Sequence, residues 1–461
     1  MIVALITILV LVFTIKIIKN SFDSKTISIF IVILLLFDTS IKIYPSMPFM
    51  GQVLAFISSI FLFSLFLFQR RYTLAYIQYF PLNRPLIVMC AITFFFYIIS
   101  DYISGFKKIG SPLINCCLYF MQLIIPFIIL RKYSGDKTIF RTVLICTLIS
   151  FLIGVLNYVY KGNIYMSEIA KYYIGKTSVG NVEGVSASEL MLDMYEDVQR
   201  FRVSSVWRSP FVYGYVSIVT FLYFLFMLVL DKYKNMPIYI GMLCSLFGIF
   251  FCNCRSVLVT FLISFFIFIL NVYKFSKVVK ILFCCLIFVL ITIFCVPQLS
   301  TMFDMLIASF TTQSTSSQIQ GSSIAMRLIQ FEAVIEYFSR NPILGNGVNF
   351  FVEYLGWGTQ NMKDMRLFGL ESILFNLLLE RGLVGLLVYS YFYFSILRYL
   401  MKCKKINRNY SSFGIALLTA YFSFAMITGE LNSVSITLFF IGIVIVKLEK
   451  IKKNGCIDHN S

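Results

Sequence analysis

The feature that most restricts this chain is a series of apolar stretches that recurs along nearly all of its 461 residues. Each stretch is close to the roughly 20 residues that a helix needs to cross about 30 Å of hydrocarbon. The stretches are continuously apolar and lack the alternation of a transmembrane barrel. The chain has 59% hydrophobic and 13% charged residues, which is more apolar side-chain surface than a soluble core could bury. The sequence therefore predicts an all-α polytopic integral membrane protein.

The first apolar stretch, MIVALITILVLVFTIK, has no basic region before it and no small-residue cleavage site. We interpret it as a retained first span and not as a signal peptide. The chain then has twelve or thirteen transmembrane helices, depending on whether this stretch crosses the membrane. The predicted spans are 2–18, 26–43, 51–68, 85–103, 112–130, 138–159, 210–230, 237–252, 256–272, 280–298, 383–399, 412–428 and 433–446.

Basic residues in the short loops predict the orientation of the spans. One set of loops holds 24 of the 39 Lys and Arg residues. The short loops of the other set hold only Lys42, Lys107, Lys108 and Arg255. Short loops rich in Lys and Arg remain in the cytoplasm, so the first set is predicted to be inside, the N terminus outside and the C terminus inside. The formal net charge of +18 is therefore a matter of membrane orientation, and we expect no nucleic-acid partner.

Two long segments interrupt the spans, and both fall on the predicted outer side. The second opens with TTQSTSSQIQGSS, which predicts a flexible connector, and continues with AMRLIQFEAVIEYFSRNP, which predicts an amphipathic helix on the outer face. The predicted organisation is a six-span bundle at 1–160, a first large periplasmic loop at 161–209, four spans at 210–298, a second large periplasmic loop at 299–382, and the C-terminal spans with a cytoplasmic tail at 383–461.

Charge that the membrane does not explain gathers in four outer segments: FRVSSVWRSPFVYGY, CNCRS, MRLIQF and LESILFNLLLERGLVG. A guanidinium binds phosphate groups in a bidentate manner and is always charged. A nearby carboxylate can take a proton from a sugar hydroxyl. The single histidine, His459, lies in the polar tail, which argues against a histidine base or a histidine metal site. These segments indicate a site for a lipid-linked pyrophosphate at the outer boundary of the membrane.

The segments RVSSVWRSPFVYGY, CRSVLVTFLISF, MRLIQFEAVIEYFSRNPILGNGVNFF and ESILFNLLLERGLVGLL resemble, in order, those of the O-antigen ligase and Wzy-type polysaccharide polymerase superfamily. The resemblance covers about residues 200 to 400. It implies glycosyl transfer without a metal or cofactor, from an undecaprenyl-diphosphate donor at the outer, periplasmic face of the bacterial inner membrane. The implied partners are undecaprenyl-diphosphate-linked oligosaccharides, the lipid bilayer and a chain-length regulator.

The resemblance also assigns roles to individual residues. Arg255 and Arg327 match the pyrophosphate-binding arginines of the family, and Arg202 matches the arginine of the first large outer loop. Glu371 stands where ligases usually have histidine, separated by ten residues from a Gly-x-x-Gly span start, and this departure favours a polymerase. We expect Glu371, Arg255 and Arg327 to be catalytic. The expected substrate-binding residues are Arg202, Arg208, Trp207, Gly345 and Gly347.

Each of these residues also has a plain structural interpretation. Arg255 could anchor a helix end at the lipid headgroups. Gly345 and Gly347 could shape a turn without touching substrate, and Trp207 could belong to an interfacial aromatic belt. The neighbours Glu380 and Arg381 are interpreted as markers of the outer membrane boundary.

Three functions are consistent with these observations. The first is a polymerase that transfers a glycan chain to a lipid-linked repeat unit, for O-antigen or for capsule. The second is an O-antigen ligase that transfers the glycan to lipid A-core with the same arginines. The third, a lipid-linked oligosaccharide flippase, is disfavoured because arginines are absent from the middle of the spans and the halves show no repeat.

Overall fold

A computed structural model of the protein describes residues 24–36, 77–132, 135–163, 196–197, 200–207, 209–231, 235–274, 276–280, 324–356, 363–367, 370, 372–429 and 434–457. Two residue pairs within these ranges form a short antiparallel ladder, β1 (Glu196–Asp197) and β2 (Arg200–Phe201). The main helices are α1 (Ser24–Leu36), α2 (Asn83–Ile99), α3 (Lys107–Lys132), α4 (Asp136–Tyr160), α5 (Pro210–Leu230), α6 (Asn235–Phe251), α7 (Arg255–Val272), α8 (Ile324–Arg340), α9 (Ile373–Cys403), α10 (Arg408–Thr428) and α11 (Val434–Ile457).

Six of the described helices are long and apolar enough to cross a membrane. They are α3, α4, α5, α7, α9 and α10, while α2 and α6 are shorter apolar helices. The prediction of an all-α, multi-pass membrane protein is confirmed. The exact number of spans and the division into five segments stay predictions, because spans 2–18 and 51–68, nearly all of 280–298, most of the first large loop and part of the second lie outside the described residues.

The helix boundaries follow local capping signals. The predicted span 210–230 coincides with α5, which begins at Pro210 after the N-cap Ser209. The Ser209 hydroxyl accepts a hydrogen bond from the backbone N–H of Phe211 at 3.3 Å. Asn407 caps α10 in the same way, accepting from the backbone N–H of Tyr410 at 3.1 Å. The sequence rule for helix starts therefore places both spans within a few residues.

Helix α5 forms the centre of the bundle and buries residues along most of its length. Aromatic rings join it to α10. Tyr215 stacks on Phe424 with ring centroids 4.6 Å apart, and Phe226 stacks on Phe413 at 4.5 Å. Stacked aromatic pairs at these distances add to the burial energy of the rings. Helices α6 and α7 complete this half of the molecule, and α3 packs against α11 on the other side.

Polar contacts at one end of the bundle fix the relative direction of α7 and α10. Arg408, the first residue of α10, donates to the backbone carbonyl oxygens of Asn271 and Tyr273 at the end of α7. Lys404 donates to the Asn271 side-chain oxygen at 2.7 Å. The two helices are therefore antiparallel, and the end with Arg408 is predicted to be cytoplasmic. We call it the inner end and the opposite one the outer end.

Beyond the outer end, α8 packs against the first part of α9 and, through the rings of Tyr337 and Phe350, against a short π-helical turn, Phe350–Tyr354. Ala333 and Val334 of α8 are completely buried in this small cluster. Leu328 and Phe331, by contrast, are 58% and 43% exposed. Helix α8 is thus confirmed as a helix that stops at Arg340 before the Asn-Pro pair, and it carries a second apolar face that the described residues do not cover.

Candidate functional site

The turn between α6 and α7 holds Arg255. Only three residues separate Phe251 from Arg255, and the middle one, Asn253, takes a left-handed conformation with φ of 56°. The other two residues of the turn, Cys252 and Cys254, are buried, and the Cys254 thiol contacts the Cys252 carbonyl oxygen. Arg255 is half-buried as the first residue of α7. Among the described residues its side chain has no hydrogen-bond or ion-pair partner.

Arg202, from the first large loop, lies beside the same turn. The backbone N–H of the next residue, Val203, donates to the carbonyl oxygen of Phe251 at 3.0 Å. The Arg202 guanidinium is also within electrostatic range of Cys252. The structure therefore brings Arg202 next to the segment that carries Arg255, although more than 50 residues separate them in the sequence.

Arg327 lies at the outer end of α10. Its guanidinium donates to the carbonyl oxygen of Ile427 at 3.1 Å, in the last turn of that helix. A cation at a helix C-terminus interacts favourably with the helix dipole. Since α7 and α10 are antiparallel and of similar length, the last turn of α10 lies near Arg255. Arg202, Arg255 and Arg327 are therefore grouped at one end of the bundle.

Trp207 belongs to a segment that is inserted between the helices. Its ring is 1% exposed, and its backbone carbonyl accepts from Asn163 at 3.1 Å. Ser205 in the same segment donates to the carbonyl oxygen of Ser150 in α4, and Asn157 donates to the Ser205 carbonyl. Trp207 is thus packed inside the protein among the described residues, and its contact with substrate stays a prediction. Arg208 lies outside the described residues.

A second feature of the outer end is a break in α9. Gly382 has non-helical angles (φ 59°, ψ −157°), so the helix consists of residues 373–381 and 383–403. The loop after α8 fills this break. Its Pro342 and Ile343 carbonyls accept from the backbone N–H groups of Leu383 and Val384 at 3.0 and 3.1 Å.

The same loop also provides hydrogen-bond donors for the backbone carbonyls on the other side of the break. The backbone N–H groups of Asn346 and Gly347 donate to the carbonyls of Leu379 and Glu380 at 2.8 and 3.1 Å. The Asn346 side chain adds a bond to the Leu379 carbonyl at 3.1 Å. The loop thus replaces hydrogen bonds that the helix loses, as a broken helix at membrane depth requires. We call residues 342–347 together with the break at Gly382 the clip.

Glycine is necessary on both sides of the clip. A Cβ atom on Gly345 would lie 2.5 Å from the backbone nitrogens of Arg381 and Gly382, and one on Gly382 would lie 2.5 Å from the nitrogen of Gly345. Gly345 and Gly347 also have positive φ angles of 72° and 105°. The interpretation of these glycines as shaping residues is supported by this geometry, whereas their contact with substrate stays a prediction.

The residues around Glu371 are held firmly, although Glu371 itself lies outside the described residues. Its neighbours Leu370 and Ser372 are 8% and 7% exposed, and Ser372 is the N-cap of α9. Further along α9, the Glu380 carboxylate accepts hydrogen bonds from the backbone N–H groups of Asn349 and Phe351. Glu380 therefore caps the short π-helical turn, a structural function that its position next to Arg381 in the sequence does not indicate.

An ion-pair network fastens the outer segment. Arg366 binds the Asp364 carboxylate, at 3.0 and 2.7 Å, and the Glu336 carboxylate of α8 at 2.7 Å. The hydrogen bonds from Arg366 lower the pKa of Asp364 below its ordinary value. Lys363 lies 3.7 Å above the ring of Tyr354. These contacts tie residues 363–367 to α8 and to the π-helical turn.

Residues 240–390 match the Wzy_C family, which is described as O-antigen ligase. The match covers about a third of the chain, and within it this segment is similar to the O-antigen ligase family. It begins within α6, includes Arg255, Arg327 and the clip, and ends in α9. A search of curated proteins finds no match to the chain. Members of the Wzy_C family are glycosyltransferase-like enzymes of lipopolysaccharide assembly.

The described residues contain no group of three His, Cys, Asp or Glu side chains that could hold a metal ion. Among the described residues, the outer end offers the guanidinium groups of these arginines and the N-terminus of α7, while the role of Glu371 stays a prediction. Arginine groups at a helix N-terminus are suited to bind an anion. Arg202, Arg255 and Arg327 are therefore the part of the outer end that is best suited to bind an anion.

Proposed function

We propose that the protein is a polysaccharide polymerase of the Wzy type. It would transfer a glycan chain from an undecaprenyl-diphosphate donor to a repeat unit carried on a second undecaprenyl diphosphate, at the periplasmic face of the bacterial inner membrane. The observation that carries the proposal is the grouping of Arg202, Arg255 and Arg327 at one end of the bundle, with the Arg255 guanidinium free of partners among the described residues.

In this proposal the arginines bind the donor diphosphate and stabilise the charge that it gains as it leaves. The bond between the anomeric carbon and the diphosphate oxygen breaks, and the acceptor hydroxyl oxygen forms the new glycosidic bond. Glu371 takes the proton of that hydroxyl. Charge stabilisation by fixed donors and proton transfer to a placed base are each worth roughly 10²- to 10⁴-fold in rate. The leaving diphosphate needs no nucleotide or metal activation.

Glu371 supports a polymerase over a ligase, because the resembling ligases carry histidine at this position. Both reactions would use the same arginines, and both fit the matched family. A chain-length regulator in the same membrane is a further proposed partner, since a polymerase alone does not define how many units it adds.

The test is the surface-glycan profile of a deletion strain, measured beside its lipid-linked intermediates and complemented with variants. A polymerase predicts that single repeats still reach the surface while the ladder of longer chains disappears. Glu371→Gln should restore no ladder, and Arg84→Ala, at an exposed arginine of the inner end, should restore it fully. Long chains that accumulate on undecaprenyl diphosphate without transfer would instead identify a ligase.

A further inference from the structure

Arg381 is an arginine that points into the membrane-spanning bundle. It is the last residue before the break in α9, and its guanidinium hydrogen-bonds to the hydroxyl of Tyr389, with its carbon 5.0 Å from the centre of that ring. Residues 383–403 are long enough to cross the hydrocarbon, and Tyr389 lies roughly 10 Å below the break along the helix axis. Arginines at a membrane boundary ordinarily extend outward to the headgroups.

The absence of a side chain at Gly385 leaves space for the inward direction of the Arg381 side chain. A Cβ atom on Gly385 would collide with the side chain of Arg381, which descends across that position. The Gly-x-x-Gly motif therefore has two separate functions. Gly382 permits the break and the clip, and Gly385 permits Arg381 to turn inward.

The positive charge of Arg381 has no paired carboxylate among the described residues. The nearest acid in electrostatic range is Glu380, whose carboxylate accepts from the backbone N–H groups of Asn349 and Phe351. A charged side chain at membrane depth is costly unless it is paired, and such residues usually contact a functional ligand. The structure thus presents a cation whose counter-charge is missing from the part of the protein that it describes.

Two tyrosine hydroxyls are arranged around this cation. Tyr389 accepts from Arg381, and Tyr97 of α2, also in electrostatic range of Arg381, accepts from the Asn115 side chain at 3.1 Å. The Tyr97 hydroxyl is the acceptor in its bond, so its own proton is available for donation, whereas the Tyr389 hydroxyl also hydrogen-bonds with Tyr119. A guanidinium with an adjacent O–H donor is the chemistry that binds a phosphate oxygen.

Basic residues close to this end of the bundle also favour the binding of an anion. Lys107 and Lys108 are two of the few basic residues in the outer short loops, where the charge pattern of membrane proteins disfavours them. Lys108 donates to the carbonyl oxygen of Ile98, the residue next to Tyr97. Leu113 and Leu387, on two of the helices that carry these groups, are 51% and 66% exposed, so an apolar chain could lie along this surface.

We propose that Arg381, Tyr97 and Tyr389 form a second anion site, which binds the diphosphate of the acceptor lipid-linked repeat unit. The inference rests on the proposed polymerase function, because a polymerase must hold two lipid diphosphates at once. The site lies between α2, α3 and α9, whereas Arg255 and Arg327 belong to the side formed by α7 and α10. Glu371 is ten residues before Arg381 in the sequence and two residues before α9 begins.

The test counts ligands on the purified full-length protein in phosphatidylcholine nanodiscs by native mass spectrometry, with undecaprenyl diphosphate as the probe. The wild type should bind two molecules, and Arg255→Ala and Arg381→Gln should each bind one. Tyr389→Phe, which keeps the packing of the ring, should weaken the second binding step about tenfold or more. Tyr391→Phe, at a 48% exposed tyrosine of the same helix, is the matched control and should bind two.

The outcomes separate the inference from the function on which it rests. A single bound molecule that Arg255→Ala removes and Arg381→Gln leaves would overturn the second site and leave the polymerase proposal intact. A single diphosphate, together with phosphatidylglycerol that only Arg381→Gln displaces from doped nanodiscs, would make this a headgroup site and overturn the acceptor assignment. No binding to the wild type would overturn the proposed function itself. If Arg381→Gln fails to fold, the Tyr97→Phe and Tyr389→Phe double variant decides the question.

Discussion

Arg255 and Arg381 are the same residue type at comparable positions, each beside the outer end of a membrane helix, yet their side chains lie in opposite surroundings. Arg255 begins an unbroken helix after a tight turn and is half-buried without a described partner. Arg381 ends a helix segment at a break, and its side chain turns inward onto Tyr389. The backbone next to an arginine, more than the arginine itself, decides what its charge can reach.

The basic residues at the inner end of the bundle are paired differently from Arg255 and Arg381. There, Arg408 and Lys404 donate to Asn271 at the end of α7, and Lys447 forms an ion pair with Asp136. These cations are satisfied by the protein and fasten helices to one another. The contrast with Arg255 and Arg381 supports a ligand-binding function at the outer end, since free or unbalanced guanidinium groups occur where a charged substrate would approach.

The largest expected effect separates Arg255 from the cations of the inner end. Arg255→Ala should lower the polymerisation rate by about 10²- to 10³-fold, because it removes a fixed donor to the leaving diphosphate. Arg255→Lys should recover only part of the rate, since an ammonium group cannot bind in a bidentate manner. The rate is measured by chain-length analysis of lipid-linked products. A fully active Arg255→Ala protein would reduce Arg255 to a membrane anchor.

The next largest effect is expected in the clip, which holds the break in α9 next to Arg381. Gly345→Ala should destabilise the protein by roughly 2–5 kcal/mol, because it adds left-handed strain and a collision with the backbone of α9. Gly105 has a similar φ of 59°, but a Cβ atom there would meet no other atom within 4 Å. Gly105→Ala should therefore cost only about 1–2 kcal/mol. Thermal unfolding in detergent gives both values, and equal losses would show that the close approach is unimportant.

A smaller effect concerns Arg327, which contacts both the protein and the proposed donor site. Arg327→Ala should reduce stability by about 1–2 kcal/mol through the lost bond to the Ile427 carbonyl at the end of α10. It should also weaken the binding of undecaprenyl diphosphate. Arg327→Lys keeps a cation at the helix end, so it should restore stability more than binding. Equal recovery of stability and binding would mean that Arg327 acts only as a helix cap.

The smallest effect concerns the ion pairs that fasten the outer segment. Arg366 lowers the pKa of Asp364, so this carboxylate stabilises the fold above its ordinary pKa of about 3.9, and the contribution is lost as pH falls through the lowered value. Hydrogen exchange in residues 363–367 should therefore accelerate below about pH 4. In Asp364→Asn this acid-dependent step should be absent. Asp101→Asn, at an exposed outer carboxylate, should keep it.

Much of the fold could be predicted from the sequence because its signals are local. The span at 210–230 is an apolar stretch that starts after a Ser-Pro cap, and α8 ends at the Asn-Pro pair, as their residues indicate. The position of Arg255 directly after a three-residue turn could likewise be predicted from the two apolar stretches around it. The placement of Arg202 beside that turn needed the family resemblance, since the two segments are distant in the sequence.

The clip and Arg381 could not be predicted in the same way. Gly382 resembles an ordinary span start, and only the contact with residues 342–347 shows that α9 is broken there. Arg381 beside Glu380 suggested a membrane boundary, because a local pattern does not record the direction of a side chain at a helix break. A Gly-x-x-Gly motif directly after an arginine is the signal that could have indicated it. Trp207, predicted to contact substrate, is enclosed by serine and asparagine hydrogen bonds that no local pattern reveals.

The most direct test of the proposed function is reconstitution of the purified protein in liposomes that contain undecaprenyl-diphosphate-linked repeat units as the only glycan. The proposal predicts a ladder of lengthening chains that remain attached to undecaprenyl diphosphate, with little or no ladder for Glu371→Gln. A protein that elongates nothing in these liposomes, but transfers the glycan once lipid A-core is added, would contradict the polymerase and identify a ligase.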